Sequence, residues 1–387
     1  MGFPSWQLSH QDHRRAALAA QFLFERSHTS NPKSTENKLK IGRSGAIAAI
    51  CRLMDSPLDT TRFQACSALS ELAFCNEANC RTIISTPGCL ESIVNLLQPA
   101  NGSTQCDAAL IINNCAAFCS ETCPSIVHYP GMLDGIQALA LGGTSSAKNV
   151  SVGAINSISR CFAVRNVLVT AGIVENTLAK VLAEEGSGEQ YEARIARAAM
   201  AVANLQGHEV SSPQGVDNFH AALGSICKIM GFAIAEKSWA GIFFAPYSVC
   251  LPMYNLSLNA ENRHYLVEQG MIELIADLLR QWKDGHNSDE TILLALAIAS
   301  QILLSPDDDK QISLAREAHL LDAVKQVALG LRGEPSKGVA AAGELVGELR
   351  ARHVALWMCQ HTRVGASSRL HMLDESVTEI IAAMAMV

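Results

Sequence analysis

Apolar positions along the chain fall in short bursts at helical spacing, and the bursts recur. The most regular form is Gly-aliphatic-x-x-aliphatic-aliphatic-x-Leu, starting at Gly45, Gly88, Gly131, Gly172 and Gly270. The first four glycines stand 43, 43 and 41 residues apart. A weaker copy puts His319 where the Gly stands and continues Leu320-Leu321-Asp322-Ala323-Val324. Self-similarity at a fixed period of this size predicts stacked helical repeats in place of one closed core. Ahead of the Gly runs a second phrase: Asn, three residues, Ile or Leu, then three or four residues to the Gly. It reads Asn37…Ile41…Gly45, Asn79…Ile83…Gly88 and Asn262…Leu266…Gly270, with Thr122 for Asn before Ile126 and Gly131. The Asn is expected to cap a helix start, and the Gly to supply the left-handed turn that ends it.

A third phrase is an Ala-rich helix, expected over 65–73, 108–116, 152–160, 196–205, 250–258, 292–303 and 339–349. Its equivalent positions are Glu71, Asn114, Ser157, Asn204, Asn255, Gln301 and Glu344. Small residues there let neighbouring repeats approach closely. Two stretches break the pattern. One lies near 206–250, with a loop at 207–213, a helix from about 217 to 230, and an aromatic run from Trp239 to Pro246. Pro252 then stands inside the next helix, where it should kink it or delay its start. The other break begins after Arg350, and the chain closes on an apolar stretch. A solenoid end is expected to be polar, so this one implies a covering partner, a further domain or a shortened chain.

Three helices per repeat, with the Asn…Gly register, resemble the armadillo repeat, over about 12–350. The fullest copy runs from Tyr254-Asn255-Leu256 through Asn262 to Gly270-Met271-Ile272. HEAT repeats, with two helices and usually no such register, are the alternative. The resemblance implies an all-α, right-handed α-solenoid, an armadillo-like superhelix of about seven three-helix repeats. Residues 1–44 would be capping helices or a partial repeat, 45–350 the array with its irregular insertion near 206–250, and 351–387 a helical cap. In armadillo proteins that bind extended peptides, an Asn on the third helix holds the ligand backbone. The nuclear-import receptors add a Trp one turn earlier. Asn stands at only three of the seven positions here. The residues four before them are Ser67, Leu110, Gly153, Met200, Leu251, Ala297 and Ala340, none of them Trp, so the import-signal reader is not expected.

Composition adds limits. With 387 residues, 49% hydrophobic and only 5% aromatic, the chain exceeds one compact core. A net charge of −7 gives no bulk attraction to nucleic acid or anionic lipid. Residues 1–43 run against that balance, at +4, leaving −11 for the rest. A basic, acid-poor N-terminus is also the composition of an organellar transit peptide, but the same segment is read as part of the array. Trp6 breaks the myristoylation pattern after Gly2. The longest apolar candidate, 291–304, is too short to span a bilayer. Thirteen singly scattered cysteines are expected to be reduced, buried and hydrophobic, which suits a reducing, cytoplasmic compartment.

Candidate chemistry is sparse. Cys115, Cys119 and Cys123 are spaced to stack on one helical face near His128, but lack the knuckle spacing of a zinc site. Residues 142–148 lack the order of a phosphate loop, and His208-Glu209 lacks the second His of a metalloprotease. Asp307-Asp308-Asp309 suits the start of a helix. No nucleophile–base pair emerges. The expectation is a non-enzymatic scaffold with no cofactor and no metal. Its protein partner, an extended peptide or amphipathic helix, would lie along the concave face near Asn114, Ser157, Asn204 and Asn255. Two alternatives are a structural subunit of a ciliary or organellar assembly, and the regulatory module of a longer enzyme.

Overall fold

The computed structural model describes residues 10–98, 102, 104–206, 219–281, 289–304, 309–328 and 340–348. Among them every regular element is a helix, apart from one isolated bridge between Trp239 and Ile242. The loop at 207–213, His208-Glu209, Asp307 and Asp308, Gly2, Trp6 and the segment 351–387 lie outside the described residues. Two compact units part within one helix, between Ala222 and Leu223.

The first unit opens with α1 (His10–Ser27), which occupies a third-helix place by itself. Three helices then follow one another repeatedly. The first set is α2 (Ser34–Arg43), α3 (Ala46–Leu53) and α4 (Asp59–Ala73); the second is α5 (Glu77–Ser85), α6 (Cys89–Leu96) and α7 (Thr104–Phe118). In the third, a 3₁₀ turn at Ser120–Thr122 leads into α8 (Cys123–Val127), then α9 (Met132–Gly142) and α10 (Ser145–Ser159). In the fourth, α11 (Arg165–Thr170) is followed by a π turn (Val174–Leu178) running into α12 (Ala179–Leu182), then α13 (Glu189–Gln206). The third helices pack side by side, α1 on α4, α4 on α7, α7 on α10 and α10 on α13.

The second unit continues the plan with α14 (Phe219–Ile234) and α15 (Pro246–Ser257). Then come α16 (Ala260–Glu268), α17 (Met271–Gln281) and α18 (Asp289–Leu304), and finally α19 (Asp309–Glu317), α20 (Leu320–Ala328) and a helix over 340–348. Counting both units gives the seven repeats expected, the fifth with two of its helices described. Between α14 and α15, Ala240 and Gly241 take positive φ while Trp239 and Ile242 exchange backbone hydrogen bonds of 2.9 Å, a two-residue hairpin turn. Trp239 is buried and stacks on Phe232 with ring centroids 6.2 Å apart, so one aromatic of the run anchors the turn inward. The start of α15 at Pro246 is not delayed by Pro252, which sits inside a helix that runs through it.

Six third helices, α4, α7, α10, α13, α15 and α18, begin earlier than their apolar patterns do. The pattern marks only the stretch buried on all sides, such as 65–70 in α4, whereas its first turns alternate buried with solvent-facing polar residues. Ala65, Ala68, Ala108, Ala109, Ala154, Ala196 and Ala199 are all fully buried. Their short side chains let helix axes approach, while Leu69, Leu72, Ile111, Ile112 and Ile158 fill the layer behind at about 1.5–3 kcal/mol each.

The five repeat glycines all adopt the left-handed region, Gly45 at φ +79° and Gly270 at +86° among them. His319, the residue standing in the Gly place, is also left-handed, at φ +52°. The backbone therefore demands that conformation whatever the side chain. The Asn of the second phrase does not cap, contrary to expectation. Asn76 caps α5 and Asn259 caps α16, three residues before Asn79 and Asn262. Buried Asn79 instead donates through Nδ2 to the Leu72 carbonyl at the end of α4 (3.0 Å) and to the Lys38 carbonyl on α2 (3.1 Å). A Cβ on Gly42 would strike that amide, so Gly42 is the close approach that admits it. Thr122 does a similar job, its hydroxyl donating to the Cys119 carbonyl at 2.7 Å and facing the Cys115 carbonyl at 3.2 Å. Asn37 donates to the Arg26 carbonyl, 2.8 Å away. These side chains bind the ends of one repeat's helices to the next.

Two stability effects follow. Gly88→Ala meets no neighbour and carries only the left-handed cost of about 1–2 kcal/mol, whereas His319→Gly removes the same cost and raises the melting temperature. Asn79→Ala removes two buried hydrogen bonds that tie α5 to α2 and α4 and costs about 1–3 kcal/mol, measured by chemical denaturation.

Candidate protein-binding face

The stacked third helices of the first unit place the sequence-predicted residues in register. Asn114 Nδ2 on α7 donates to the Ser70 carbonyl on α4 at 2.9 Å. Ser157 on α10 donates to Asn113 Oδ1 on α7 at 3.1 Å, and Asn204 on α13 donates to Ser159 Oγ on α10 at 3.1 Å. All three are buried, and these hydrogen bonds tie each third helix to the one before. Asn255 lies in the second unit, half-buried, with its Nδ2 buried and without a hydrogen-bond partner. Glu71 is closed off by the buried Lys38, whose Nζ lies 2.9 Å from its Oε1 and donates to the Phe74 carbonyl at 3.0 Å.

Sequence reasoning missed the row seven residues before these positions, where Gln64, Asp107, Val150 and Arg197 stand in order on α4, α7, α10 and α13. Members of this row lean on the residue four before the corresponding position of the preceding helix. Asp107 Oδ1 is 3.4 Å from Ser67 Oγ, and the Arg197 guanidinium covers Gly153, whose missing Cβ makes room for Nη1. The signal is the lone acid of α7 and a base among the charges of α13, but register alone does not reveal whether a charge is paired.

Neither charge has an ionic partner among the described residues. Glu184 is already shared by Lys148 (2.7 Å) and Arg194 (2.8 Å), and Arg194 also donates to Asn149 Oδ1. Arg197, only 7% exposed, donates just once, through Nε to the Ala193 carbonyl at 3.4 Å. Burial first, and then the like charge of Arg194, lower its ordinary value to about 10. Burial likewise pushes the Asp107 carboxyl up to about 6, against a small opposing effect of the Ser67 hydroxyl.

The cysteine run does not stack on one helical face, contrary to expectation. Helix α7 ends at Phe118, Cys119 takes an extended φ, and Cys123 opens α8. The Cys119 sulfur falls instead within 4.8 Å of carboxylates of Glu77 and Glu121. Arg81 pairs with both of those acids and supplies their counter-charge. Burial pushes Cys106 up to about 11 and Cys227 to about 12, so neither is a thiolate near neutral pH. Among the described residues no helix is long and apolar enough to cross a membrane.

Residues 34–74, which are α2, α3 and α4 with their turns, match the family described as Armadillo/beta-catenin-like repeat. Residues 34–74 carry an armadillo repeat. Among solved structures, a designed armadillo repeat protein is 18% identical and aligns over 77% of this chain and 99% of its own, with a TM-score of 0.34. An engineered protein aligns over 98% and 96% at 19% identity and a TM-score of 0.43. A further designed armadillo repeat protein, solved in complex with the peptide (KR)4, is 17% identical over 77% and 98%, with a TM-score of 0.31. No curated protein matches the sequence.

The raised Asp107 value fixes a sign. The folded armadillo array takes up this proton below about pH 6, while the unfolded chain waits until about 3.9. The cost of the buried charge is therefore absent below pH 4 and complete above pH 6. Asp107→Asn is expected to stabilise by about 1–3 kcal/mol at pH 7.5, with the gain fading to nothing by pH 4 in paired melting curves.

Proposed function

We propose that this chain is a non-enzymatic scaffold that holds an extended segment of a partner protein along its third helices, the concave side of an armadillo array. The observation that carries this reading is the pair of charges, half-buried Asp107 and buried Arg197, that the fold leaves without a counter-charge among the described residues. Buried charges cost stability unless something pairs them, and both stand in one row of one helical face. Asn114, Ser157 and Asn204 then act mainly by holding that face together, and half-buried Asn113 offers it a polar contact. Asn255, with an unpaired amide, is the corresponding contact in the second unit. A reducing, cytoplasmic setting is part of the proposal, because Cys75 is exposed and none of the described cysteines is paired.

The test is site-specific photo-crosslinking in native extract. A benzophenone side chain at Asn113 is expected to capture a protein partner, whereas the same group at exposed Arg52, on a second helix, is not. Capture from Arg52 with none from Asn113 would remove the assignment. A second reading, a subunit of a larger assembly, rests on Phe243, which keeps 69% of its surface exposed. Phe243→Ser would then disperse the assembly in native gels.

A further inference from the structure

The row that carries Asp107 and Arg197 has a chemical order. Helix α7 supplies a half-buried carboxylate, α10 the half-buried Val150, and α13 a guanidinium whose terminal nitrogens have no hydrogen-bond partner among the described residues. Each of the three helices packs on the next within one unit. Packed helices lie about 8–10 Å apart, so the two charges are separated by roughly 16–20 Å. An extended chain covers that in about five or six residues at ~3.3 Å each.

We propose that the segment this face takes carries Lys or Arg at one place and Asp or Glu about five or six residues away, with an apolar residue between them. The basic side chain pairs with Asp107, the carboxylate pairs with Arg197, and the apolar residue rests on Val150. This rests on the scaffold reading above and specifies its partner. A carboxylate suits Arg197 because the planar guanidinium offers two parallel donors, and Nε is already spent on the helix backbone. A single-sign peptide fits less well: a wholly basic one meets Arg197, and a wholly acidic one meets Asp107. Gly153 belongs to the site because it leaves the guanidinium its place.

The experiment uses the full chain to select from a random twelve-residue peptide library on phage, followed by fluorescence anisotropy on enriched peptides. Enriched peptides are expected to share the basic–apolar–acidic order at that spacing. Asp107→Asn should abolish the preference for the basic residue alone, and Arg197→Met that for the acidic residue alone. Each is expected to weaken the parent peptide by about tenfold. Gly153→Ala keeps every charge but shifts the guanidinium, and should reproduce the Arg197 effect in part. Unchanged or raised melting temperatures for Asp107→Asn and Arg197→Met show that folding is not the cause, since both remove an unpaired buried charge. Should Arg197→Met fail to fold, Gly153→Ala and Asp107→Asn still decide the matter. Peptides that bind, crosslink to position 113 and ignore both charges would sink the charge assignment while leaving the scaffold standing. A library from which nothing is enriched overturns both.

Discussion

Close approach of Ala-rich third helices is the constraint on which this protein is built. Fully buried alanines at Ala65, Ala68, Ala108, Ala109, Ala154 and Ala196 bring one helix against the next, so each repeat buries its apolar side on its neighbour. A larger side chain at these places would hold the axes apart and strip the repeat of its core. Most of the helices are shorter than about 15 residues, too short to be stable alone in water. Their stability is therefore a property of the stack.

Packing of this kind leaves the ends of helices to be satisfied across repeats. Asn79 and Thr122 take carbonyls at the end of the preceding third helix, while Asn114, Ser157 and Asn204 bind third helix to third helix. Polar residues that look like a ligand ladder in the sequence thus spend their hydrogen bonds within the fold. Two charged groups stand apart: a carboxylate and a guanidinium, each drawn toward low dielectric with no opposite charge beside it among the described residues. Under the proposed scaffold reading, this unneutralised charge is what would give a structural wall a chemical preference.

Much of the fold was legible because its determinants are local. A left-handed turn needs Gly, and its recurrence at Gly45, Gly88, Gly131, Gly172 and Gly270 marked the repeat boundaries. His319 was placed by the apolar residues that follow it, and its positive φ agrees. Helix starts were less legible, since the outer turns of α4 and α10 are polar and carry no apolar period. The role of Asn79 is not legible in the sequence, because a cap and a cross-repeat tie use the same residue type and only the position of Asn76 separates them.

What the sequence alone determined is the repeating three-helix plan, since turn chemistry and apolar spacing act over a few residues. Only the tertiary structure decided which polar groups are free. Pairing depends on residues 10 to 44 positions apart, such as Ser157 with Asn113, or Glu184 held by Lys148 and Arg194 and not by Arg197. Electrostatic neutrality is settled in space, across the stack, where no local spacing records it.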